Sequence, residues 1–398
     1  MQKETTSSVF SLSVNKWLLA LGPLVLLLVL IVAFLTLNPL AAFSGNFPPI
    51  EELSIQQVRF PAPGEVELSV INGGPDPVTI AQVVVDDAYW QYSVDGSGTL
   101  NRLEQTTIHL NYPWVRDEPL EFVLVTSTGI TFNSVVDIAT ESPTAGAGTL
   151  LRYGLLGIYV GIIPVTLGML WYPFLRRIDR KWLNVILALT VGLLVFLLVD
   201  TVLEALEEAA ELPGVFQGVP VVFFGILFSL GTLLAVSRRQ GRSGSPLAIA
   251  TLISLGIGLH NLGEGLAIGA AFATGAAALG SFLVIGFTLH NITEGIGIVA
   301  PLMRNETPAL KTFALLAVLA GGPAILGTWI GGFAFSPFLA TLFLSLGAGA
   351  ILQVIWEVGR LLIREAQRHS EPALSWPNFA GLMAGILIMY LTAFLVNF

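Results

Sequence analysis

The 398-residue sequence contains no cysteine and few charged side chains. Without cysteine the chain can form neither disulfides nor thiolate metal sites, so any metal must be bound through nitrogen and oxygen. Charged residues make up 11% of the sequence, far below the roughly 25% that is typical of soluble proteins. Hydrophobic residues make up 54% and the mean hydropathy is +0.79, which indicates a polytopic membrane protein.

The sequence also lacks the features that mark partners with phosphate groups. No phosphate loop of the form G-x-x-x-x-G-K-[ST] is present, so nothing supports ATP as a partner. The net charge is −9, and no basic cluster resembles a nucleic-acid-binding surface. The sequence therefore predicts a lipid bilayer as the surroundings, and neither ATP nor nucleic acid as a partner.

Residues 17–37 form an apolar run that is long enough to cross a bilayer as a helix. The alternative is a signal peptide that is cleaved near Ala41 and Ala42. The run is longer than the usual apolar stretch of about 7 to 15 residues in such peptides. We therefore expect residues 1–45 to form an uncleaved anchor with a cytoplasmic N-terminus.

Residues 46–145 differ from the rest, because short alternating segments such as 66–71 (VELSVI) are separated by turn sequences such as 95–98 (DGSG). About 95 residues of this kind predict a small antiparallel β-sandwich of immunoglobulin-like size. The segment contains no catalytic grouping, and His109 is a lone histidine that we interpret as a surface or structural residue. We expect a binding, spacing or assembly module, whose partner is unknown.

Residues 146–398 contain eight apolar segments that are long enough to span a bilayer. They are residues 151–173, 183–203, 214–236, 246–273, 278–303, 311–333, 338–362 and 378–397. With a cytoplasmic N-terminus, 14 of the 18 lysines and arginines fall on the cytoplasmic side of a cell membrane. The other four, Arg59, Arg102, Arg116 and Arg152, lie in or beside the β segment. This distribution predicts an extracytoplasmic β domain and an extracytoplasmic C-terminus.

Two consecutive spans carry the same motif, His260-Asn261-Leu262-Gly263-Glu264-Gly265 and His290-Asn291-Ile292-Thr293-Glu294-Gly295. In each motif the histidine and the glutamate lie on one helical face, about 6 Å apart along the axis. If the turn between the helices is centred near residue 277, each histidine lies level with the glutamate of the other helix. The spacing therefore brings two imidazoles and two carboxylates together within the membrane.

These side chains suit a divalent transition metal. Two carboxylates balance its charge, and two imidazoles are ligands that zinc and iron accept. The two asparagines can add amide oxygens or position water, and the glycines allow close helix packing. We predict a metal site that consists of His260, Asn261, Glu264, His290, Asn291 and Glu294.

Three further acids, Asp200, Glu204 and Glu357, lie at apparent membrane depth, where the sequence places no lysine or arginine to pair with them. A charged residue near mid-membrane costs about 2.5 to 3.5 kcal/mol, so such residues usually mark function. The alternative is that each carboxyl is protonated and only stabilises packing through a hydrogen bond. We interpret the three acids as stations along a cation pathway.

The repeated His-Asn-x-x-Glu-Gly pattern resembles the fourth and fifth helices of ZIP (Zrt/Irt-like) metal transporters, particularly the bacterial branch. The resemblance covers about residues 150–398. Residues 200–205 (DTVLEA) resemble the family's His-Leu-Leu-Pro-Glu-Ala segment, and residues 355–357 (IWE) resemble its His-Glu segment. The resemblance implies eight spans, a transport site on helices four and five, and metal movement toward the cytoplasm. It also implies alternating access, in which two helix groups slide past each other.

The sequence departs from the family pattern at several positions. Gly263 and Thr293 replace the proline before each motif glutamate, so no proline kink is expected there, although the threonine hydroxyl can bond to a carbonyl. Gly322 stands before Pro323, where the family has a glutamate that binds a second metal. This loss favours one bound metal over two.

The predicted fold class is an all-α polytopic membrane protein. It combines an anchor (1–45), an extracytoplasmic β-sandwich (46–145) and an eight-helix ZIP-like bundle (146–398). The predicted function is secondary transport of a divalent metal, with zinc first, iron or manganese next, and cobalt and cadmium as further candidates. A homodimer is a candidate assembly.

Two other classes of function remain open at this point. A membrane-embedded metalloenzyme also uses His and Glu ligands, but the sequence has no H-E-x-x-H helix and no nucleophile near the motifs, so we do not predict an enzyme. A metal-responsive receptor would bind a partner through the β domain and use the membrane region to sense metal.

Overall fold

The structure is a computed structural model that describes residues 16–37, 48–144, 146–239, 245–274, 277–304, 308–370 and 372–396. The chain forms two compact units that divide between Pro49 and Ile50. The domain boundaries expected near residues 45 and 145 stay predictions.

The first unit contains helix α1, Lys16–Leu37, which covers the apolar run 17–37 of the predicted anchor. Its apolar side chains are exposed, as at Leu26 with 64% exposure, and therefore suit lipid surroundings. Pro23 lies inside the helix, where membrane helices tolerate proline. Ala41 and Ala42, the candidate cleavage site, lie outside the described residues.

The second unit begins with a small β domain of nine described strands. They are β1 Leu53–Arg59, β2 Glu65–Asn72, β3 Val78–Val85, β4 Ala88–Trp90, β5 Tyr92–Val94, β6 Thr99–Leu100, β7 Gln105–Asn111, β8 Leu120–Thr126 and β9 Thr131–Val136. One antiparallel sheet has the order β1-β2-β7-β5, and the other has the order β4-β3-β8-β9, with β6 paired to β3. Alternate residues such as Leu68, Ile108 and Phe122 are fully buried, so they form a core that both sheets share.

His109 lies on the surface of this domain, as the sequence predicts. Its side chain is 40% exposed. Its Nδ1 lies 3.6 Å from Oε1 of Glu67, and its Nε2 lies 3.3 Å from Oδ1 of Asp95.

The rest of the second unit is helical. The helices are α2 Ala147–Gly157, α3 Ile163–Met169, α4 Tyr172–Leu175, α5 Arg180–Ala210, α6 Gly218–Arg239, α7 Pro246–Ala273, α8 Ala277–Val299, α9 Leu310–Gly321, α10 Pro323–Ala334, α11 Pro337–Arg368 and α12 Trp376–Val396. Seven helical spans among the described residues are long and apolar enough to cross a membrane. Together with α12, they cover the eight predicted segments.

The helices of this bundle form two groups. The α5 group contains α5, α6, α11 and α12, in which α5 packs against α11 and α12, and α6 packs against α11. The α7 group contains α2, α3, α7, α8, α9 and α10, in which α7 packs against α9 and α10, α2 against α10, and α3 against α8. Helix α7 also packs against α11, so it joins the two groups.

Two interruptions of helical geometry occur within the α7 group. A π-helical segment, Ile158–Ile162, connects α2 and α3. Helix α9 ends at Gly321 and α10 begins at Pro323, which has no N–H to continue the hydrogen-bond pattern. Such interruptions leave carbonyl groups that side chains of neighbouring helices can satisfy.

The β domain contacts the bundle at the loop between α5 and α6. The backbone N–H of Gly214 donates to Oε1 of Glu52 at 2.6 Å. A cavity of about 470 Å³ separates β1 and β9 from the ends of α7 and α10 and is lined by Ile55, Val136, Thr274 and Phe335 among others. The C-terminal end of α7 therefore lies at the β-domain end of the bundle.

Candidate metal centre

The two motifs lie on α7 and α8, which run in opposite directions. All six predicted ligands are buried, with 0–6% of each residue exposed. Helix α7 ends at Ala273 and α8 begins at Ala277, close to the position near residue 277 at which the sequence predicts the change of direction. The structure therefore brings the six side chains into one buried region between the helices.

The glycine that ends each motif explains how the helices approach so closely. A Cβ atom at Gly265 would clash with the backbone carbonyl oxygen of Ala324 on α10 and would lie 3.0 Å from the Cα of that residue. A Cβ atom at Gly295 would lie 3.0 Å from the backbone of Gly168 on α3. Each motif helix thus packs against a different partner helix, and only glycine fits at the point where the two helices cross.

Glu264 is the most highly hydrogen-bonded residue of the centre. Its Oε1 accepts hydrogen bonds from Nε2 of His260, at 2.8 Å, and from Nε2 of His290. Its Oε2 accepts a hydrogen bond from Nδ2 of Asn291 at 3.2 Å. The pairing of Glu264 with His290 follows from the equal distances of these residues from the turn. The hydrogen bond between Glu264 and His260, which lie on the same helix, does not follow from this spacing, because it depends on the side-chain rotamers.

Glu294 has quite different surroundings. Both of its carboxylate oxygens are buried, and neither has a hydrogen-bond partner among the described residues. His260, His290 and Glu294 each offer a ligand atom, and these three atoms lie within 4.8 Å of one another. A buried carboxylate without a partner is costly, whereas a cation between these atoms would supply both its charge balance and its contacts. The side chains present therefore fit a divalent metal.

The two asparagines use the helix interruptions as hydrogen-bond acceptors. Nδ2 of Asn261 donates to the carbonyl of Ala320, beside the break between α9 and α10, at 2.9 Å. Nδ2 of Asn291 donates to the carbonyl of Val160 in the π-helical segment at 3.0 Å. The Oδ1 atom of each asparagine is buried without a partner among the described residues. Both amide oxygens are thus available to a cation or its water.

The departures from the ZIP pattern have local consequences. Oγ1 of Thr293 donates to the carbonyl of His290 at 2.6 Å, as expected for a threonine in place of proline. Residues 308–334 contain no acidic residue, so neither α9 nor α10 adds a carboxylate to the centre. The centre therefore has two carboxylates, which match the charge of one divalent ion.

Two of the three outlying acids lie near the centre. Asp200 and Glu204 are one turn apart on α5. The Asp200 carboxylate interacts electrostatically with the histidines of both motifs. Glu204 interacts electrostatically with His260 and Glu264. Helix α5 thus places two acidic side chains beside the motif helices.

Glu357 is the acid that the structure does not bring to the centre. It is buried on α11, and its Oε1 accepts a hydrogen bond from Oγ of Ser237 on α6 at 3.2 Å. Sequence reasoning missed Gln353, which lies one turn before Glu357 and is fully buried beside Gly256 of α7. Neither amide atom of Gln353 has a hydrogen-bond partner among the described residues. In the sequence, the only feature that marks this residue is an isolated amide in an apolar run.

The comparison with protein families identifies the helical region. The family model described as ZIP zinc transporter matches residues 236–393, which include both motifs and extend from the end of α6 into α12. No curated protein gives a significant match to the chain.

Proposed function

We propose that the chain is a metal transporter of the ZIP family, whose family model matches residues 236–393, and that it carries a divalent transition metal through the centre between α7 and α8. One observation carries this proposal. The Glu294 carboxylate is buried without a partner among the described residues, beside two imidazoles whose ligand atoms lie within 4.8 Å. The family is one of transporters rather than enzymes, which agrees with a binding role for these side chains.

We favour zinc as the substrate, with iron or manganese next and cobalt and cadmium as further candidates. Two imidazoles with carboxylates are borderline ligands that zinc accepts in four-coordinate geometry. In the proposed site His260, His290 and Glu294 bind the ion directly. Glu264 orients both imidazoles, and the amide oxygens of Asn261 and Asn291 hold the ion or its water. With two carboxylates, the centre balances a single ion.

Transport requires that the centre open to each side of the membrane in turn. We propose that the α5 group and the α7 group slide past each other, because the centre lies where α7 and α8 face α5 and α11. Asp200 and Glu204 would attract the cation on the α5 side. Glu357 and Ser237 would receive it toward the end opposite the β domain, which we propose is cytoplasmic. No ATP-binding motif is present, so transport would be secondary.

Zinc uptake into proteoliposomes tests this proposal. Native protein, His260→Ala and Glu294→Gln should be compared under an inward zinc gradient, with a fluorescent zinc indicator inside the vesicles. We expect uptake by native protein and background uptake by both variants, because each variant removes a proposed direct ligand.

Glu365→Gln is the matched control. Glu365 is also a buried glutamate on a membrane helix, but it lies beside Arg368 at the end of α11, with 3.2 Å between Oε1 and Nη1. It should transport zinc at the native rate. Equal uptake by native protein and the two centre variants would contradict the proposal, and tight zinc binding without flux would instead favour a receptor.

A further inference from the structure

A second cavity lies away from the metal centre, between α3–α4 and α9. Its volume is about 520 Å³, within the roughly 300–1,000 Å³ that is common for small-molecule sites. The walls are apolar and include Ile162 and Met169 from one side and Phe313 and Ala314 from the other. The hydroxyl of Thr166 does not make the lining polar, because its Oγ1 donates to the carbonyl of Ile162 at 2.7 Å.

The cavity ends at a positively charged rim, at the end of the bundle opposite the β domain. Arg176 and Arg177 follow α4, Lys311 lies in the first turn of α9, and all three residues are exposed. At this end the cavity lining includes Pro173 on one side and Pro308 and Leu310 on the other. Basic side chains therefore border the mouth of the cavity from both of its walls.

One of these basic groups contacts an aromatic residue that lines the cavity. The Arg176 guanidinium lies 5.7 Å from the centroid of the Tyr172 ring, which lines the cavity. The Tyr172 ring packs edge-on against Phe313 with 5.0 Å between centroids, and its hydroxyl donates to the carbonyl of Leu302 at 3.4 Å. This chain of contacts holds the positive charge over the apolar cavity.

We propose that this cavity binds an anionic phospholipid, with an acyl chain between α3 and α9 and the phosphate at Arg176 and Lys311. The apolar walls match an acyl chain, and basic residues from two elements match a negative headgroup at the membrane surface. A zwitterionic lipid offers the same chain but no net charge to the rim. The proposal rests on contacts outside the metal centre and does not depend on the proposed function.

Native mass spectrometry tests the proposal with the full-length protein. The protein should be exchanged into micelles that contain equimolar dioleoyl-phosphatidylglycerol and dioleoyl-phosphatidylcholine, and the lipid retained on the protein should be identified and counted. We expect native protein to retain phosphatidylglycerol over phosphatidylcholine. Arg176→Gln with Lys311→Gln should reduce the preference by about fivefold for each charge removed.

Two further variants separate charge at the rim from filling of the cavity. Lys181→Gln removes an exposed basic residue at the same end of the bundle but outside the cavity, and it should retain the native preference. Ala314→Trp adds bulk at an exposed position of the cavity wall and should reduce retention of phosphatidylglycerol. The proposal is overturned if native protein retains both lipids equally, or if either the double variant or Ala314→Trp retains phosphatidylglycerol at the native level.

Discussion

Glu264 and Glu294 hold the same position in two copies of one motif, yet their surroundings are opposite. Glu264 accepts hydrogen bonds from both motif histidines and from Asn291. Glu294 has no hydrogen-bond partner among the described residues. One carboxylate therefore organises the side chains of the centre, and the other is the one that we propose binds the cation.

This asymmetry predicts opposite effects of two isosteric changes on stability without metal. Glu264→Gln weakens charge-assisted hydrogen bonds and should lower the free energy of unfolding by about 1.5–3 kcal/mol. Glu294→Gln removes a buried charge that lacks compensation and should leave the stability unchanged or raise it. Thermal unfolding in detergent with a chelator measures both. Equal destabilisation by the two variants would contradict the assignment.

The asparagines give a second prediction at this scale. Asn291→Leu removes the donor to the Val160 carbonyl in the π-helical segment and leaves that buried oxygen without this partner. We expect a loss of about 1–3 kcal/mol in the free energy of unfolding. Asn378→Leu is a control for an amide–carbonyl bond outside the centre, since its Nδ2 donates to Ala373 at 2.8 Å. Only Asn291→Leu should also weaken zinc binding, which isothermal titration would measure; an equal loss of binding in both variants would refute this role.

The sequence was sufficient to predict that the six side chains come together, because residue spacing on two antiparallel helices fixes their relative depth; that they bind a metal stays a prediction. It was not sufficient to show that Glu264 binds both imidazoles, since this depends on rotamers and on small offsets between the helices. The partners of the asparagines were also inaccessible, because the Val160 and Ala320 carbonyls belong to distant helix interruptions. No sequence pattern links Gln353 to a partner, so the sequence alone does not distinguish it from an isolated polar residue.

At the scale of helices, the centre depends on close packing of α7 against α10 and of α8 against α3. The helices contact each other at Gly265 and Gly295, where an added Cβ would meet backbone atoms of the partner helix. Apolar length predicted the helices themselves, whereas the extension of α5 to Ala210 and α11 to Arg368 was missed. These ends carry charged residues, so hydropathy ends the segment before the helix ends.

Gly265→Ala should therefore separate α7 from α10. We expect a loss of about 1–3 kcal/mol in the free energy of unfolding and weaker zinc binding, because the displaced helix carries the proposed ligand His260 and Glu264, which orients both imidazoles. Gly359→Ala on α11 is the control, since no atom lies within 4 Å of its added Cβ. It should be neutral or stabilise the helix by about 0.5–1 kcal/mol. Thermal unfolding of both variants measures the contrast, and similar values would argue against a packing role for Gly265.

At the scale of the whole molecule, a β domain contacts the helical bundle at the α5–α6 loop through Glu52 and Gly214. The charge distribution predicts that this domain is extracytoplasmic and that the end of α11 is cytoplasmic. Strand alternation predicted the β domain, but its contact with the loop includes a hydrogen bond between one carboxylate and one backbone amide. No sequence pattern marks such a pair.

The absence of cysteine makes the orientation directly measurable. Ser97→Cys places a single thiol on an exposed turn of the β domain, and Gln367→Cys places one at the exposed end of α11. A membrane-impermeant maleimide should label Ser97→Cys in intact cells and Gln367→Cys only after permeabilisation. The reverse pattern would contradict the proposed orientation.

The central claim is that one divalent ion binds between α7 and α8. Anomalous diffraction at the zinc edge, from crystals of the native protein grown with zinc, tests this claim most directly. We predict a single peak about 2.0–2.2 Å from imidazole nitrogens of His260 and His290 and from a carboxylate oxygen of Glu294. A zinc peak elsewhere in the bundle, with none between these three side chains, would contradict the account.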